Sequence, residues 1–93
     1  MTTRDIPMLL EIDSEAVTSS LQQASEKLSS ADGEVVLDFS SVLRINPGAL
    51  QALEKLAAAA KEKAIKVVLR GINVEMYKVL KLARLTAQFS FLA

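Results

Sequence analysis

The residues best suited to recognise another molecule are Arg44 to Gly48, which stand just before a long segment of helical apolar spacing. Asn46 is a favoured N-cap, because its side-chain oxygen can accept a hydrogen bond from an unpaired amide at a helix start. Pro47 suits the first helical position, where an N–H group would have no partner within the helix. We therefore expect a loop that presents these residues, together with Gln51, to a binding partner.

A helix N-terminus can also hold an anion such as phosphate. Here Pro47 has no N–H to donate, and we expect the Asn46 side chain to occupy a further amide. No lysine follows in the pattern of a phosphate-binding P-loop. These residues therefore favour contact with a protein over binding of a phosphate or a nucleotide.

The sequence lacks the side chains that most catalytic and metal sites use. It contains no Cys and no His, which excludes thiolate nucleophiles, zinc–sulfur sites and the commonest general base. Glu54 and Glu62 share a predicted helix, but the lysines that flank both do not suit paired carboxylates for acid–base catalysis. We expect no catalytic residue, no metal, no cofactor and no enzyme activity.

Charge is balanced in total but uneven along the chain. The formal net charge is zero, which gives no general attraction to nucleic acid or to anionic membranes. Residues 1–43 carry eight acids and two bases, whereas residues 44–93 carry nine bases and three acids. This separation could orient a partner, or it could reflect only solvated helix faces.

The length of 93 residues predicts one domain, spanning residues 1–93. Residues Met1 to Asp5 lead into no long apolar segment, so no signal peptide is indicated. The longest uncharged apolar stretch, Ile6 to Leu10, is too short to span a bilayer. We expect a soluble, cytoplasmic protein.

Apolar patterns predict four strands that alternate with three helices. Val35-Val36-Leu37 and Val67-Val68-Leu69 are apolar at three successive positions, as in strands buried inside a parallel sheet, so we expect them to be adjacent inner strands. Alternation of this kind implies an α/β fold with a mostly parallel sheet and right-handed crossovers. The predicted strands are Ile6 to Ile12, beginning near Pro7, Glu34 to Asp38, Lys66 to Arg70 and Gln88 to Leu92.

Each predicted helix has a cap and one apolar face. We expect Asp13 or Ser14 to cap the first helix, Asn46 the second and Asn73 the third. The apolar spacing of each helix predicts which residues face the sheet. The predicted faces are Val17, Leu21, Ala24 and Leu28, then Leu50, Leu53, Ala57, Ala60 and Ala64, and finally Met76, Val79, Leu80 and Ala83.

Three segments together resemble a known family. Val35-Val36-Leu37-Asp38-Phe39-Ser40-Ser41-Val42, followed by a loop and a helix near Pro47, is similar to a STAS domain. Lys66 to Asn73 and Val79 to Leu85 agree with the strand, turn and leucine-rich last helix of that family. The resemblance implies an α/β STAS-like fold of about four mostly parallel strands and three helices. The first strand of the family's N-terminal strand pair is shortened or missing here.

The sequence departs from the family at its phosphorylation site. Phosphorylatable relatives read Asp-Ser-Ser-Gly-Leu or similar, and a kinase phosphorylates a serine at the helix start. Alignment on Leu50 places Pro47 and Gly48 at the two serines, with Gly48 at the phosphoacceptor position, and an alignment shifted by one residue places Pro47 there. No Ser or Thr occurs between Val42 and Leu85, so we expect no phosphoserine switch in this loop. Ser40 and Ser41 are expected to serve strand-end and turn hydrogen bonds.

Two kinds of function fit these features. The first is a protein-interaction module of the bacterial anti-sigma factor antagonist type, or an accessory subunit of an ABC transporter. The resemblance then implies an anti-sigma or kinase-like protein, or a transporter subunit, as the partner. The second is a binding domain for a nucleotide or a lipid. We favour the first, and we expect no nucleic-acid binding and no direct insertion into a membrane. The sequence leaves the oligomeric state open.

Overall fold

The computed structural model describes residues 8–30 and 33–92. Four strands alternate with three helices, so the predicted α/β class is confirmed. The elements are β1 (Met8–Glu11), α1 (Val17–Lys27), β2 (Glu34–Asp38), α2 (Pro47–Glu62), β3 (Lys66–Arg70), α3 (Val74–Leu82) and β4 (Ser90–Leu92), with a short 3₁₀ helix at Leu28–Ser30.

The strands form one sheet in the order β1-β2-β3-β4, and every neighbouring pair is parallel. Val35 lies opposite Val67, and Leu37 lies opposite Leu69. The prediction that β2 and β3 are adjacent inner strands is therefore confirmed. Their bounds also agree with the predicted ones residue for residue.

All three helices pack on one face of this sheet. Buried residues of α1, α2 and α3 join a single cluster with Val35, Leu37, Val67 and Leu69. Val36 and Val68 are also buried but lie outside that cluster, because alternate residues of a strand point to opposite faces. The cluster therefore packs β2 and β3 against the three helices, including α2, whose start carries the candidate site.

The predicted helix faces are largely correct. The predicted residues that are buried are Leu21, Ala24, Leu28, Leu53, Ala57, Ala60, Met76 and Leu80. Those that are partly buried are Val17, Leu50, Val79 and Ala83. Ala64 was wrongly assigned to the α2 face, because it is exposed and follows the end of the helix. It adopts a left-handed conformation with φ of 55°, and the next amide, of Ile65, donates to the Ala60 carbonyl at 2.9 Å.

The predicted cap of α1 is wrong. The helix begins at Val17, its N-cap residue is Ala16, and no side chain caps it. Asp13 instead closes a turn before the helix: its carboxylate accepts from the Glu15 amide at 2.9 Å and its carbonyl accepts from the Ala16 amide at 3.0 Å. Neither Asp13 nor Ser14 therefore reaches the first turn as a cap.

The outer strands are shorter than predicted. β4 begins at Ser90 rather than Gln88, whose amide donates to the Leu85 carbonyl in a turn. Ile12 follows β1 and is buried, while Ile6 and Pro7 lie outside the described residues. Within the described ranges, none of the helices has the length and apolar character needed to cross a bilayer.

Candidate partner-binding site

The start of α2 has the predicted cap. The Asn46 side-chain oxygen accepts from the Ala49 amide at 2.7 Å, and Pro47 is the first helical residue. The Asn46 carbonyl accepts from the Leu50 amide at 2.9 Å. Gly48 is thus the second residue of the helix, and it is exposed.

These hydrogen bonds leave few free backbone amides for an anion to bind. Pro47 has no N–H, and Asn46 engages the amides of Ala49 and Leu50. A phosphate would normally contact several free amides at a helix start. The start of α2 therefore lacks the set of free amides that a phosphate site would use.

None of the residues that the structure describes requires glycine at position 48. A Cβ atom added there would lie 3.5 Å from the Asn46 side-chain oxygen and 3.6 Å from the Thr18 hydroxyl, which are ordinary contact distances. Glycine lowers helix stability by about 0.8–1 kcal/mol relative to alanine. The described contacts therefore give no reason for glycine at position 48.

Gly48 and Gln51 face a groove between α1 and α2. This groove has a volume of about 400 Å³, and α1 supplies Thr18, Ser25 and Glu26 to its wall. Sequence analysis missed the α1 contribution, because these residues lie 22 to 30 positions before Gly48 and carry no motif. Of the predicted site residues, Gly48 and Gln51 therefore form part of one wall of this groove.

Arg44 lies on the other side of the loop. It lines a second, smaller opening together with Leu43, Ile45, Glu75 and Val79, between the loop and α3. The structure therefore brings Asn46, Pro47, Gly48 and Gln51 together at the helix start. Arg44 lies next to α3 and also shares an opening with Leu43 and Asn46.

Asn73 fixes this loop to α3. Its side-chain amide donates to the Leu43 carbonyl at 3.1 Å, while its side-chain oxygen accepts from the Met76 amide at 2.8 Å and caps α3 as predicted. Leu43 itself is 75% exposed. An anchored loop therefore holds a large apolar side chain in solvent, a feature that the sequence pattern did not reveal.

A second junction ties the end of β2 to the end of β3. The Asp38 carboxylate accepts from both the hydroxyl and the amide of Ser40. The Ser40 hydroxyl, the Ser40 amide and the nearby charge of Arg70 together hold the pKa of Asp38 below its ordinary value. The Ser41 hydroxyl donates to the Ile12 carbonyl at 3.4 Å. The two serines thus have the turn and strand-end roles that were predicted for them.

Gly71 makes this junction compact. Its φ is +76°, and an added Cβ would lie 2.8 Å from the Ser40 amide nitrogen and 2.9 Å from the Ser40 Cα. Because these are backbone atoms, a side chain at position 71 cannot be accommodated without moving the loop.

Comparison with known proteins identifies the family. A family model described as "Mlab, STAS domain" matches residues 11–92, which is most of the chain. A search among proteins of curated function found no significant match. The four-stranded parallel sheet and three helices agree with this family's α/β fold. The chain therefore belongs to the STAS domain family.

Proposed function

We propose that this chain is a cytoplasmic interaction module that holds a protein partner through a docking surface at the start of α2. The docking surface consists of Arg44, Asn46, Pro47, Gly48 and Gln51, which the sequence singled out, together with Leu43. Membership of the STAS family supports a general regulatory or interaction role. The specific partner and the mode of binding are part of the proposal.

The observation that carries the proposal is the exposure of Leu43. Its side chain is 75% exposed on a loop that Asn73 holds in place. Covering an exposed apolar side chain stabilises a complex, and a loop whose backbone is already held loses little conformational entropy on binding. The neighbouring helix start adds polar groups that can orient the partner.

We further propose that the partner is an anti-sigma or kinase-like protein, or a subunit of an ABC transporter, in a bacterial cell. Since neither Pro47 nor Gly48 carries a hydroxyl, serine phosphorylation at the helix start does not release this partner. Binding is then controlled by the amounts of the two proteins.

Site-specific photo-crosslinking in the native cell tests the proposal. A photoreactive residue at Gln51 should give one dominant protein adduct, which mass spectrometry can identify. The same residue at Lys63, exposed at the far end of α2, is the matched control and should not give that adduct. Equal crosslinking from both positions would contradict the docking surface. A nucleotide or lipid retained in native mass spectrometry, without a protein adduct, would favour the ligand-binding function instead.

A further inference from the structure

A cleft that is open to solvent separates the loop before α2 from the segment that leads into α1. It has a volume of about 490 Å³, and the greater part of its surface is apolar. Val42 is buried, Val17 is half-buried and Leu43 is 75% exposed, which places them at the floor, the wall and the rim of the cleft. We call this opening the α1–loop cleft, and the residues that line it are Ser14, Val17, Ser41, Val42, Leu43, Arg44 and Asn46.

Arg44 gives this cleft its charge. It is exposed, and none of the other described residues that line the cleft is charged. Arg44 also borders the smaller opening beside α3, but there Glu75 supplies an opposing charge. A carboxylate is therefore favoured on the side of Arg44 that faces the α1–loop cleft, since a guanidinium can hold a carboxylate through two parallel hydrogen bonds. The cleft thus combines an apolar surface with one positive charge.

The shallowness of the cleft favours a segment of a protein over a free lipid. Sites for small molecules bury most of the ligand's surface, whereas a fatty-acid chain in so open a cleft would stay largely in water. A side chain that projects from a folded partner needs to bury only its own surface, because the rest of the partner fixes its position. The exposed residues of the lining are Ser14, Ser41, Leu43, Arg44 and Asn46.

We propose that the α1–loop cleft receives a large apolar side chain of the protein partner, and that Arg44 binds an aspartate or glutamate of the same segment. The inference rests on the proposed function and names the recognition element of the partner, an acidic residue close in sequence to a leucine, methionine or phenylalanine. The apolar side chain packs on Val17 and Val42, and Leu43 covers it from the rim. Its burial supplies affinity, and the charge pair fixes its orientation.

Selection from a library of random peptides displayed on phage tests this chemistry before the partner is identified. The immobilised parent chain should enrich peptides in which an acidic residue lies close to a leucine, methionine or phenylalanine. A synthetic peptide of the enriched sequence should bind with a dissociation constant of roughly 10–100 μM, because one side chain and one charge make a small contact. Enrichment of no peptide, or of peptides without an acidic residue, would overturn the proposal.

Variants of exposed residues at the cleft test where the selected peptide binds. Arg44→Glu should weaken binding about tenfold or more, since it replaces an attraction with a repulsion. Arg44→Lys keeps the charge but loses the paired hydrogen bonds, so binding should fall only about threefold. Leu43→Ser removes the apolar rim and should also weaken binding. Unchanged binding by Arg44→Glu would mean that the peptide lies elsewhere, and the proposal fails.

Arg84→Glu is the matched control, because it makes the identical charge change on an exposed arginine just beyond the end of α3. It should bind the peptide like the parent. If Arg84→Glu weakens binding as much as Arg44→Glu does, net charge rather than the α1–loop cleft is responsible, and the proposal is wrong.

Two further results separate this inference from its alternatives. If sodium dodecanoate, below its micelle-forming concentration, displaces the labelled peptide more effectively than unlabelled peptide does, the cleft takes a lipid and the proposal fails. If an Arg44→Glu chain still gives the Gln51 adduct in the cell at the parent's level, the docking surface stands but the cleft is not part of it. An absent Gln51 adduct in the parent chain counts against the proposed function, while peptide selection still decides the chemistry of the cleft.

Discussion

At the scale of single residues, Gly48 and Gly71 both lie at loop ends but differ in the space available for a side chain. A side chain at position 48 meets only ordinary contacts, whereas one at position 71 meets the backbone of Ser40. The family resemblance implied a turn within Lys66 to Asn73, the segment that contains Gly71. It could not predict the contact with Ser40, because that contact depends on the pairing of β2 with β3.

Gly71→Ala should therefore destabilise the fold more than Gly33→Ala. Both glycines have positive φ, so each substitution costs about 1–3 kcal/mol for the backbone conformation alone. Only Gly71 adds a steric clash, because among the described residues no atom beyond the chain neighbours lies within 4 Å of a Cβ at Gly33. Urea unfolding of the two variants measures the difference. Equal losses would mean that the loop of Ser40 moves aside at no cost.

At the scale of elements, most local signals were predicted correctly and one helix cap was not. The caps at Asn46 and Asn73 were correct, because each side chain bonds an amide three residues later. The bounds of β2 and β3 were correct because each apolar run is flanked by charged residues. The predicted cap of α1 was wrong because the Asp13 carboxylate and carbonyl accept hydrogen bonds within a turn that precedes the helix.

Ala64→Gly should stabilise the protein. Ala64 follows α2 in a left-handed conformation, which glycine adopts without the steric cost of a Cβ, so we expect a gain of about 1 kcal/mol. Ala58→Gly, at an exposed position inside α2, is the control and should lose about 0.8–1 kcal/mol. The two midpoints of thermal unfolding should move in opposite directions. A fall in both would show that the end of α2 is not held in the left-handed conformation.

Leu53→Ala tests the packing of α2 on the sheet. Leu53 is fully buried in the core cluster, so its truncation should cost about 2–5 kcal/mol of unfolding free energy. Leu50→Ala, which removes a partly buried leucine of the same helix, should cost clearly less. Chemical denaturation compares the two, and the reverse order would mean that the buried face of α2 is misassigned.

At the scale of the whole molecule, the fold was predictable and the extent of the site was not. The alternation of strands and helices led directly to the observed parallel sheet. The groove wall that α1 forms next to Gly48 depends on how segments distant in sequence pack. The position of Arg44 beside α3 depends on the same kind of packing. The charge difference between the two ends of the chain became a spatial difference only because strand order follows chain order.

The affinity of the Gly48→Asp variant for the partner that crosslinks to Gln51 tests the docking surface most directly. An acidic side chain at the second helical position should stabilise the monomer by about 0.3–1 kcal/mol, since it lies at the positive end of the helix dipole. The same charge and bulk at the docking surface should weaken binding about tenfold, near 1.4 kcal/mol, by titration calorimetry. Gly48→Ala adds only a methyl group and should weaken it less. A Gly48→Asp variant that melts no lower and binds as tightly as the parent would contradict the account.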